Sequence, residues 1–415
     1  MQKKEFVLRK IFKIGKEKKM MTPQEMKEGL AFPCGPWDAE PLLGSIYGQE
    51  ELDAATEAIK ASMDFRIGFG FCSEPIVAFE KAMADYVGVR YAVAVNSCGP
   101  GMDIVMRSLN LQPGEEVIVP SINYDAAPLS VLGAGGSVVW GESRAEDYML
   151  DPADVERKIT PNTRAILTVS IHGLTPPMDE YLAIAERHPH PKWGPPKVIL
   201  DAARAVGGDY KGTKTGKLGY ATIYSFHTMK NMTTLGEGGM IVTDDEALNK
   251  FAHGVRMYGR FEHAWGTSNV MTKVQAAVGL VQLRKLDSFI AGRRRVARER
   301  NELLKDVPEF TLPADRECRE HTFYLYALTM CDSWAGYKRD KLVELMRDRY
   351  SIVCWVANPP IYTVNSFLAE KCGTNTPRSE RLAERILCIP IHPAMTSEEN
   401  RHICAALLSC IEELR

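Results

Sequence analysis

Residues Val198–Thr243 have the sequence VILDAARAVGGDYKGTKTGKLGYATIYSFHTMKNMTTLGEGGMIVT, and this stretch decides the fold class. It contains short apolar runs separated by glycine-rich turns, a pattern typical of strands buried on both faces. Asp201 directly follows the first run, and Lys230 lies five residues beyond Ser225, where the second run ends. Because parallel sheets bind ligands at the carboxyl ends of their strands, Asp201 and Lys230 are candidates for a functional site.

The same order of strand, turn and helix recurs along the preceding residues. The pattern predicts strands at 91–95, 116–119, 137–140, 165–169, 197–200, 221–225 and 239–243. Helical spacing of apolar residues predicts helices at 53–63, 74–86, 102–109, 152–159, 179–187 and 245–255, with a helix or turn at 128–133. This alternation predicts an α/β fold whose central sheet is mostly parallel and is covered by helices on both faces.

Beyond this region the pattern changes to a mixed one. A long helix is predicted at 272–305, and we interpret its basic patch Arg293-Arg294-Arg295 as a solvated helix face rather than an anion site. Strands at 321–329 and 386–391 and helices at 338–348 and 397–413 indicate a smaller α+β unit. We therefore expect three parts, a basic N-terminal arm at 1–22, a large domain at 23–285 and a small C-terminal domain at 286–415.

Composition excludes several classes of protein. A chain of 415 residues with 45% hydrophobic residues and a net charge of −2 predicts a globular protein that does not bind nucleic acid or anionic membranes. No apolar run approaches the roughly 20 residues that a membrane span needs. The ten cysteines are scattered without a CxxC pair, which favours a reduced cytoplasm over a disulfide scaffold and predicts no metal site.

A carboxylate and a lysine at the ends of two strands suit a pyridoxal phosphate (PLP) site. The lysine forms the Schiff base, and the carboxylate keeps the pyridine nitrogen protonated so that the ring accepts electrons. The phosphate group would fit the turn Asn96–Gly101, since free N–H groups at a helix N-terminus bind phosphate. Spacing alone leaves open an ordinary surface lysine and a strand-end aspartate.

These segments resemble a known family. Leu200-Asp201-Ala-Ala-Arg204, Ser225-Phe226-His-Thr-Met-Lys230-Asn231 and Gly236-Glu237-Gly238-Gly239 match, in order, the signature of the DegT/StrS family of PLP-dependent sugar aminotransferases. The similarity extends over about residues 50–410. It implies the aspartate-aminotransferase-like PLP fold type I, with a large PLP-binding domain and a smaller C-terminal one.

The resemblance also implies roles for individual residues. Lys230 would form the Schiff base and carry protons, and Asp201 would pair with the pyridine nitrogen. The other cofactor-binding residues it implies are Ser225 and the backbone of Cys98 and Gly99 for the phosphate, Tyr124 for stacking on the ring, Arg204, and Asn269 from the neighbouring subunit, with Ser268 as the alternative to Asn269.

The chain departs from the family pattern at three places and has one extra residue between Lys230 and the turn that begins at Gly236. Arg204 stands where glutamine or histidine is usual, and a permanent cation there could alter cofactor or substrate contacts. Ser170 replaces a histidine, although His172 lies two residues further on, and Gly99-Pro100 replaces a threonine–alanine pair. These departures keep the cofactor chemistry and leave the acceptor open.

The activity that the resemblance implies is a transamination. An amino group would pass from L-glutamate or L-glutamine to a keto-sugar, a nucleotide-linked keto-sugar or a keto-cyclitol, in a homodimer with shared active sites. One alternative is a PLP- or PMP-dependent sugar dehydratase of the same family, in which a histidine replaces the lysine. A second is a non-catalytic regulator on this scaffold, against which the Asp201–Lys230 pair argues.

Overall fold

The computed structural model describes residues 37–260, 262–315 and 318–415, so the expected arm at 1–22 lies outside the described residues. The strands are β1 (Trp37–Asp38), β2 (Tyr91–Val95), β3 (Glu116–Pro120), β4 (Ser137–Gly141), β5 (Thr163–Val169), β6 (Lys197–Asp201), β7 (Asp209–Tyr210), β8 (Thr213–Lys214), β9 (Ala221–Ser225), β10 (Gly239–Thr243), β11 (Phe310–Thr311), β12 (Arg319–Glu320), β13 (Tyr326–Met330), β14 (Ile352–Val353) and β15 (Ile386–Ile389).

The helices alternate with these strands as far as β6 and dominate the C-terminal part. They are α1 (Gln49–Ser62), α2 (Glu74–Val87), α3 (Cys98–Ser108), α4 (Ala126–Gly133), α5 (Pro152–Lys158), α6 (Met178–Arg187), α7 (Glu246–Val255), α8 (Lys273–Leu304), α9 (Tyr337–Tyr350), α10 (Ser366–Cys372), α11 (Pro377–Ala383) and α12 (Ser397–Leu414).

A seven-stranded sheet forms the centre of the molecule, in the order β2-β10-β9-β6-β5-β3-β4. Within it β10 alone runs antiparallel to its neighbours, β2 and β9. The pairs β9–β6, β6–β5, β5–β3 and β3–β4 are all parallel. The predicted α/β class with a mostly parallel sheet is therefore confirmed, and the carboxyl ends of β5, β6 and β9 meet at one edge.

Helices cover both faces of this sheet because successive strand residues point in opposite directions. Val93 and Val95 of β2 belong to one buried cluster, together with residues of α3 and α7. Ala92 and Ala94 of the same strand belong to a second cluster, with α2, α6 and the first half of α8. The strands consequently have no polar face, which explains their continuous apolar runs.

A third cluster lies in the C-terminal part, where the antiparallel sheet β11-β13-β15 packs with α9, α12 and the second half of α8. The boundary expected at 285/286 falls inside α8. The second half of this helix packs with the C-terminal part, whereas its first half contacts α1 and α2 of the expected large domain. The division at that residue stays a prediction. None of the helices in the described ranges is long and apolar enough to cross a membrane.

Two expectations are wrong. The strand expected at 321–329 begins only at Tyr326, because Phe323 has a φ of 50° and breaks the extended backbone. The patch at 293–295 is not a uniformly solvated face, because Arg293 is fully buried. Its guanidinium donates to the carbonyls of Gly44 (2.6 Å), Phe323 (3.1 Å), Tyr324 (3.3 Å) and Ile391 (3.3 Å).

Candidate active site

The site is built at the sheet edge where β6 and β9 end. These strands are parallel, with Asp201 in register with Ile223, so Asp201 and Ser225 emerge on the same side of the molecule. Lys230 lies in the long turn that joins β9 to β10. Backbone hydrogen bonds across this turn, such as that from the Phe226 N–H to the Gly238 carbonyl at 2.8 Å, fix its shape.

Asp201 is a buried carboxylate, only 3% exposed. Its Oδ1 accepts a hydrogen bond of 2.9 Å from the Ala203 backbone N–H. Burial raises the pKa of Asp201, while that hydrogen bond and the cations of Arg204 and Lys230 oppose the rise. Because burial disfavours the charge of Asp201, a further cationic partner such as a protonated ring nitrogen would stabilise this carboxylate.

Lys230 is held in a site that favours its neutral amine. Burial lowers the pKa of Lys230 to about 8, and the nearby Arg204 cation contributes to the decrease. The acidic groups of Glu40 and Asp201 and the thiol of Cys98 act in the opposite direction. An amine with a pKa near 8 is partly neutral at physiological pH, so it can attack a carbonyl and accept a proton.

The first turn of α3 lies directly against β10. A Cβ placed on Gly239 would come within 2.8 Å of the backbone nitrogen of Cys98, so only glycine permits this approach. Ser97 caps the helix with extended backbone, and a Cβ on Gly99 would meet nothing within 4 Å. The space beside Gly99 at the N-terminus of α3 is therefore open, and the N–H groups of a helix N-terminus are suited to bind phosphate.

Ser225 joins this cradle through the sheet. It pairs with Gly239 across β9 and β10, and Gly239 is the residue that touches the Cys98 turn. The Ser225 side chain is 5% exposed, and its Oγ accepts a 3.3 Å hydrogen bond from the His227 N–H. Its hydroxyl hydrogen is therefore available to an anion bound at the turn.

Arg204 is buried between the two catalytic candidates and the C-terminal part of the chain. Its Nη1 donates a 2.7 Å hydrogen bond to Oδ1 of Asn358. Burial lowers the pKa of Arg204, while the charges of Glu40 and Asp201 raise it. The cation at this position is thus balanced by two acids, and it lies close enough to Lys230 to affect the pKa of the amine.

Tyr124 and Asn269 lie at the edges of the site. The Tyr124 side chain, in the turn after β3, is 64% exposed and close enough to Arg204 to influence its titration. The backbone carbonyl of Asn269 accepts a 3.0 Å hydrogen bond from the Asn96 N–H, two residues before Cys98. Asn269 therefore borders the phosphate turn of its own chain, and its contact with a neighbouring subunit stays a prediction.

Ser170, one of the departures from the family pattern, lies beside Asp201. The Ser170 N–H donates a 2.9 Å hydrogen bond to the Asp201 carbonyl, and the Ser170 side chain is fully buried. His172 is also buried, with its ring 5.1 Å from the ring of Tyr148. Burial and the Arg204 cation keep the pKa of His172 well below its usual value, so this ring is neutral.

Three residues that face the lysine or Arg204 are not among the site residues predicted from the sequence. The Lys230 Nζ donates a 3.2 Å hydrogen bond to the hydroxyl of Tyr324, which lies 94 residues further along the chain. Glu40 affects the pKa values of both cations, and Asn358 binds Arg204. The sequence around Glu40 and Asn358 contains no signal for these contacts, and Tyr324 was assigned to a strand because of its apolar neighbours.

Comparison with known proteins is consistent with this geometry. The GDP-perosamine synthase of Caulobacter vibrioides is 33% identical over 348 residues, which cover 80% of this chain and 89% of that protein. PseC of Helicobacter pylori, an aminotransferase of pseudoaminic acid biosynthesis, has a TM-score of 0.82 at 22% identity, covering 91% of this chain and 100% of that one. The PLP form of Spr1654 from Streptococcus pneumoniae has a TM-score of 0.82 at 21% identity, covering 90% and 99%.

A family model matches most of the chain. It is that of the DegT/DnrJ/EryC1/StrS aminotransferase family, and it matches residues 49–408. This range contains all the implied cofactor-binding residues. The chain therefore belongs to the DegT/DnrJ/EryC1/StrS aminotransferase family and is a PLP-dependent enzyme of fold type I.

Proposed function

We propose that this enzyme transfers an amino group from L-glutamate or L-glutamine to a keto-sugar, a nucleotide-linked keto-sugar or a keto-cyclitol in a biosynthetic pathway. The observation that carries the proposal is the Lys230 amine, whose pKa is lowered to about 8 beside the buried carboxylate of Asp201. A sugar dehydratase of the same family is disfavoured because its members replace this lysine by histidine.

The cofactor site that we propose uses the residues assembled at the sheet edge. PLP supplies an aldehyde that bonds to an amine and a pyridinium ring that accepts electrons from the substrate carbon. The backbone of Cys98 and Gly99 and the hydroxyl of Ser225 would hold its phosphate. Asp201 would keep its ring nitrogen protonated, and Tyr124 would stack on its face.

Further cofactor contacts would come from Arg204 and Asn269. Arg204 is a buried cation whose remaining donors suit an anionic oxygen of the cofactor or substrate. The backbone carbonyl of Asn269 borders the phosphate turn of its own chain, and we propose from the family resemblance that its side chain contacts the cofactor of the neighbouring subunit.

The proton chemistry falls to Lys230. Once its amine is released from the cofactor, a pKa of about 8 allows it to accept a proton from the substrate carbon and return it at another position. The neighbouring Arg204 cation keeps part of the amine neutral, and the acids Glu40 and Asp201 prevent the pKa from falling further. These opposing charges set a pKa at which the Lys230 side chain can act first as a base and then as an acid.

The class of acceptor is proposed from the relatives. One is a GDP-perosamine synthase and another acts in pseudoaminic acid biosynthesis, so both act on amino-sugar pathways. Arg204, Ser170 and the Gly99-Pro100 pair differ from the family pattern close to the reacting centre. The relatives support the keto-sugar class, and these departures are the reason why the individual compound is left to experiment.

We also propose a homodimer with shared active sites. Residues 63–71, MDFRIGFGF, form an apolar segment in which Met63, Phe65, Ile67, Phe69 and Phe71 are each at least 50% exposed. Exposed patches of this kind mark interaction surfaces.

We propose a reduced cytoplasm as the compartment. The nine cysteines of the described residues are free thiols, which supports this proposal.

The experiment that tests the catalytic assignment traps the lysine chemically. The purified protein is incubated with PLP, reduced with borohydride and digested, and mass spectrometry locates the modified residue. Modification at Lys230, lost in Lys230→Ala and kept in Lys250→Ala, supports the proposal. Lys250 is a suitable control because it lies on the outer helix α7, where it pairs with Glu246. Modification elsewhere, or full turnover in Lys230→Ala, contradicts it.

The acceptor is identified separately. The PLP-loaded enzyme is mixed with L-glutamate or L-glutamine and with a panel of keto-sugars, nucleotide keto-sugars and keto-cyclitols, and the aminated product is detected by mass spectrometry. Product with a member of this panel supports the proposed class. If the PLP-loaded, unreduced enzyme aminates only simple keto acids, the sugar assignment is wrong although the lysine assignment stands.

A further inference from the structure

The phenol of Tyr324 is in contact with the amine of Lys230. Nζ lies 3.2 Å from the hydroxyl oxygen and 4.6 Å from the centroid of the ring. The Arg204 guanidinium carbon lies 5.6 Å from the same centroid. Tyr324 is 1% exposed, so its position is fixed by packing and it is not a mobile surface group.

The backbone that carries Tyr324 has an unusual conformation. Phe323 has a φ of 50°, in the left-handed region that bulky residues avoid. The flanking residues are held by hydrogen bonds from the Thr322 N–H to the Gly173 carbonyl at 2.8 Å and from the Leu325 N–H to the His172 carbonyl at 3.1 Å. Strained backbone of this kind persists where the surroundings fix it, and it is concentrated at functional sites.

Space for this turn is provided by Gly173, which has a φ of 106°. A Cβ at this position would lie 2.4 Å from Oγ1 of Thr322 and 2.8 Å from the backbone nitrogen of Tyr324. The residues after β5 and the residues before β13 therefore fit together only with glycine here. This contact sets how far the Tyr324 ring reaches toward the lysine.

Arg293 connects the Tyr324 segment with the segment that supports Lys230. Its buried guanidinium donates to the carbonyls of Phe323, Tyr324 and Gly44. The Gly44 N–H in turn donates a 2.8 Å hydrogen bond to the Thr228 carbonyl, and a Cβ on Gly44 would lie 2.4 Å from the Lys230 carbonyl oxygen. One side chain thus fixes the distance between the phenol and the amine from both sides.

We propose that Tyr324 is a positioning residue that holds the ε-amine of Lys230 whenever this amine is not bonded to the cofactor. The proposal rests on the proposed catalytic role of Lys230 and adds a partner that the sequence pattern did not indicate. The hydroxyl oxygen accepts the hydrogen bond of the charged amine, and its own hydrogen can be donated to the neutral amine. The amine therefore has one resting place in both protonation states.

The titratable groups around the amine come from three parts of the chain. Asp201 and Arg204 lie at the end of β6, Glu40 lies near the N-terminal end of the described residues, and Cys98 begins α3. None of these is changed by Tyr324→Phe, which removes only the hydroxyl. Because the hydrogen bond donated by the charged amine is the stronger of the two, its loss destabilises the charged form more, and this variant should lower the pKa of Lys230 further.

The test compares Tyr324→Phe with Tyr326→Phe. The hydroxyl of Tyr326 donates to Oδ1 of Asn301 and is also buried, so the control removes a buried hydroxyl outside the site. Two quantities are measured on the full-length protein. One is the rate at which the cofactor-free protein captures PLP as a function of pH, and the other is the single-turnover rate of the PLP-loaded enzyme with L-glutamate.

In Tyr324→Phe we expect PLP capture to persist, with its pH midpoint moved to lower pH. The single-turnover rate should fall by about 10- to 100-fold, the scale expected when a reacting group is misplaced by an ångström, with the half-saturating L-glutamate concentration unchanged. Tyr326→Phe should leave both quantities unchanged. An unaltered midpoint and rate in Tyr324→Phe, or equal changes in both variants, would overturn the proposal.

The outcome is distinguishable from a failure of the proposed function. If Lys230 were not the cofactor lysine, the wild-type protein itself would show no borohydride-trapped adduct at this residue. If L-glutamate were not the donor, the wild type would show no single turnover, while the pH midpoint of PLP capture would still test the role of Tyr324.

Discussion

Gly239 lies against the first turn of α3, so close that a Cβ on it would come within 2.8 Å of the Cys98 nitrogen and 2.7 Å of the Ser97 carbonyl carbon. The obstacles are backbone atoms, which cannot rotate away as the end of a side chain can. Strand β10 and the proposed phosphate turn are therefore one rigid unit. The absence of a side chain at residue 239 therefore allows β10 to pack against the proposed phosphate turn.

Gly239→Ala should separate β10 from this turn and weaken PLP binding by at least about tenfold, with a loss of stability of about 1–3 kcal/mol from overpacking. PLP titration of the cofactor-free protein and urea unfolding measure the two effects. Gly133→Ala is the control, because its Cβ would meet nothing within 4 Å. Equal PLP affinity in the wild type and Gly239→Ala would contradict a phosphate site at this turn.

PLP capture by the cofactor-free protein should depend on pH through Lys230. Only the neutral amine attacks the aldehyde, and burial with the Arg204 cation lowers the pKa of Lys230 to about 8. The capture rate should consequently rise about tenfold per pH unit below pH 8 and level off above it. Stopped-flow absorbance measures this rate. A midpoint near 10.5, the value of an ordinary lysine, would mean that the amine is not in the environment described above.

Arg204→Gln should move this midpoint in the opposite direction from Tyr324→Phe. Removal of a cation beside Lys230 favours the protonated amine, so the midpoint should rise by roughly one pH unit. Arg204→Lys keeps the charge and should leave the midpoint close to the wild-type value. If glutamine and lysine at this position gave the same midpoint, the charge of Arg204 would have no part in tuning the amine.

The central sheet and the Asp201–Lys230 pair could be predicted from the sequence. Strands β2, β9 and β10 have the bounds that the apolar runs indicated, and glycine or charged and polar residues flank β2 and β10 at both ends. The pair follows from topology, since parallel neighbours end at the same edge. Local patterning is enough for these features because each strand of the sheet is buried on both faces between two layers of helices.

Tyr324 and Arg293 could not be predicted in this way. Tyr324 lies just before the apolar strand β13, and its sequence reads as a continuation of that strand. The backbone instead turns at Phe323, which has a positive φ. Arg293 lies in a polar stretch of α8, where arginines are usually solvated. Its burial depends on carbonyl groups from three distant segments, and a linear pattern contains no information about such carbonyls.

Arg293→Met should destabilise the protein strongly, because the buried carbonyls that Arg293 satisfies would lose a charged donor. The expected cost is about 3 kcal/mol or more, since one hydrogen bond to a charged group contributes about 1.5–3 kcal/mol. Urea unfolding measures it. Arg298→Ala, at an exposed position of the same helix, should stay within about 0.5 kcal/mol of the wild type. A similarly small change in Arg293→Met would mean that its contacts do not hold the two segments together.

Phe65→Asp should convert the proposed dimer into monomers. Phe65 is 92% exposed in the single chain and lies within the apolar segment 63–71, where burial of an added charge at an interface would be costly. Tyr337→Asp is the matched control, because Tyr337 is 74% exposed at the start of α9, far along the chain from that segment. Light scattering gives the mass of each variant at assay concentration. A wild-type monomer would contradict the shared active site, whereas a Phe65→Asp dimer would show that residues 63–71 are not the interface and that the dimer contact lies on another surface.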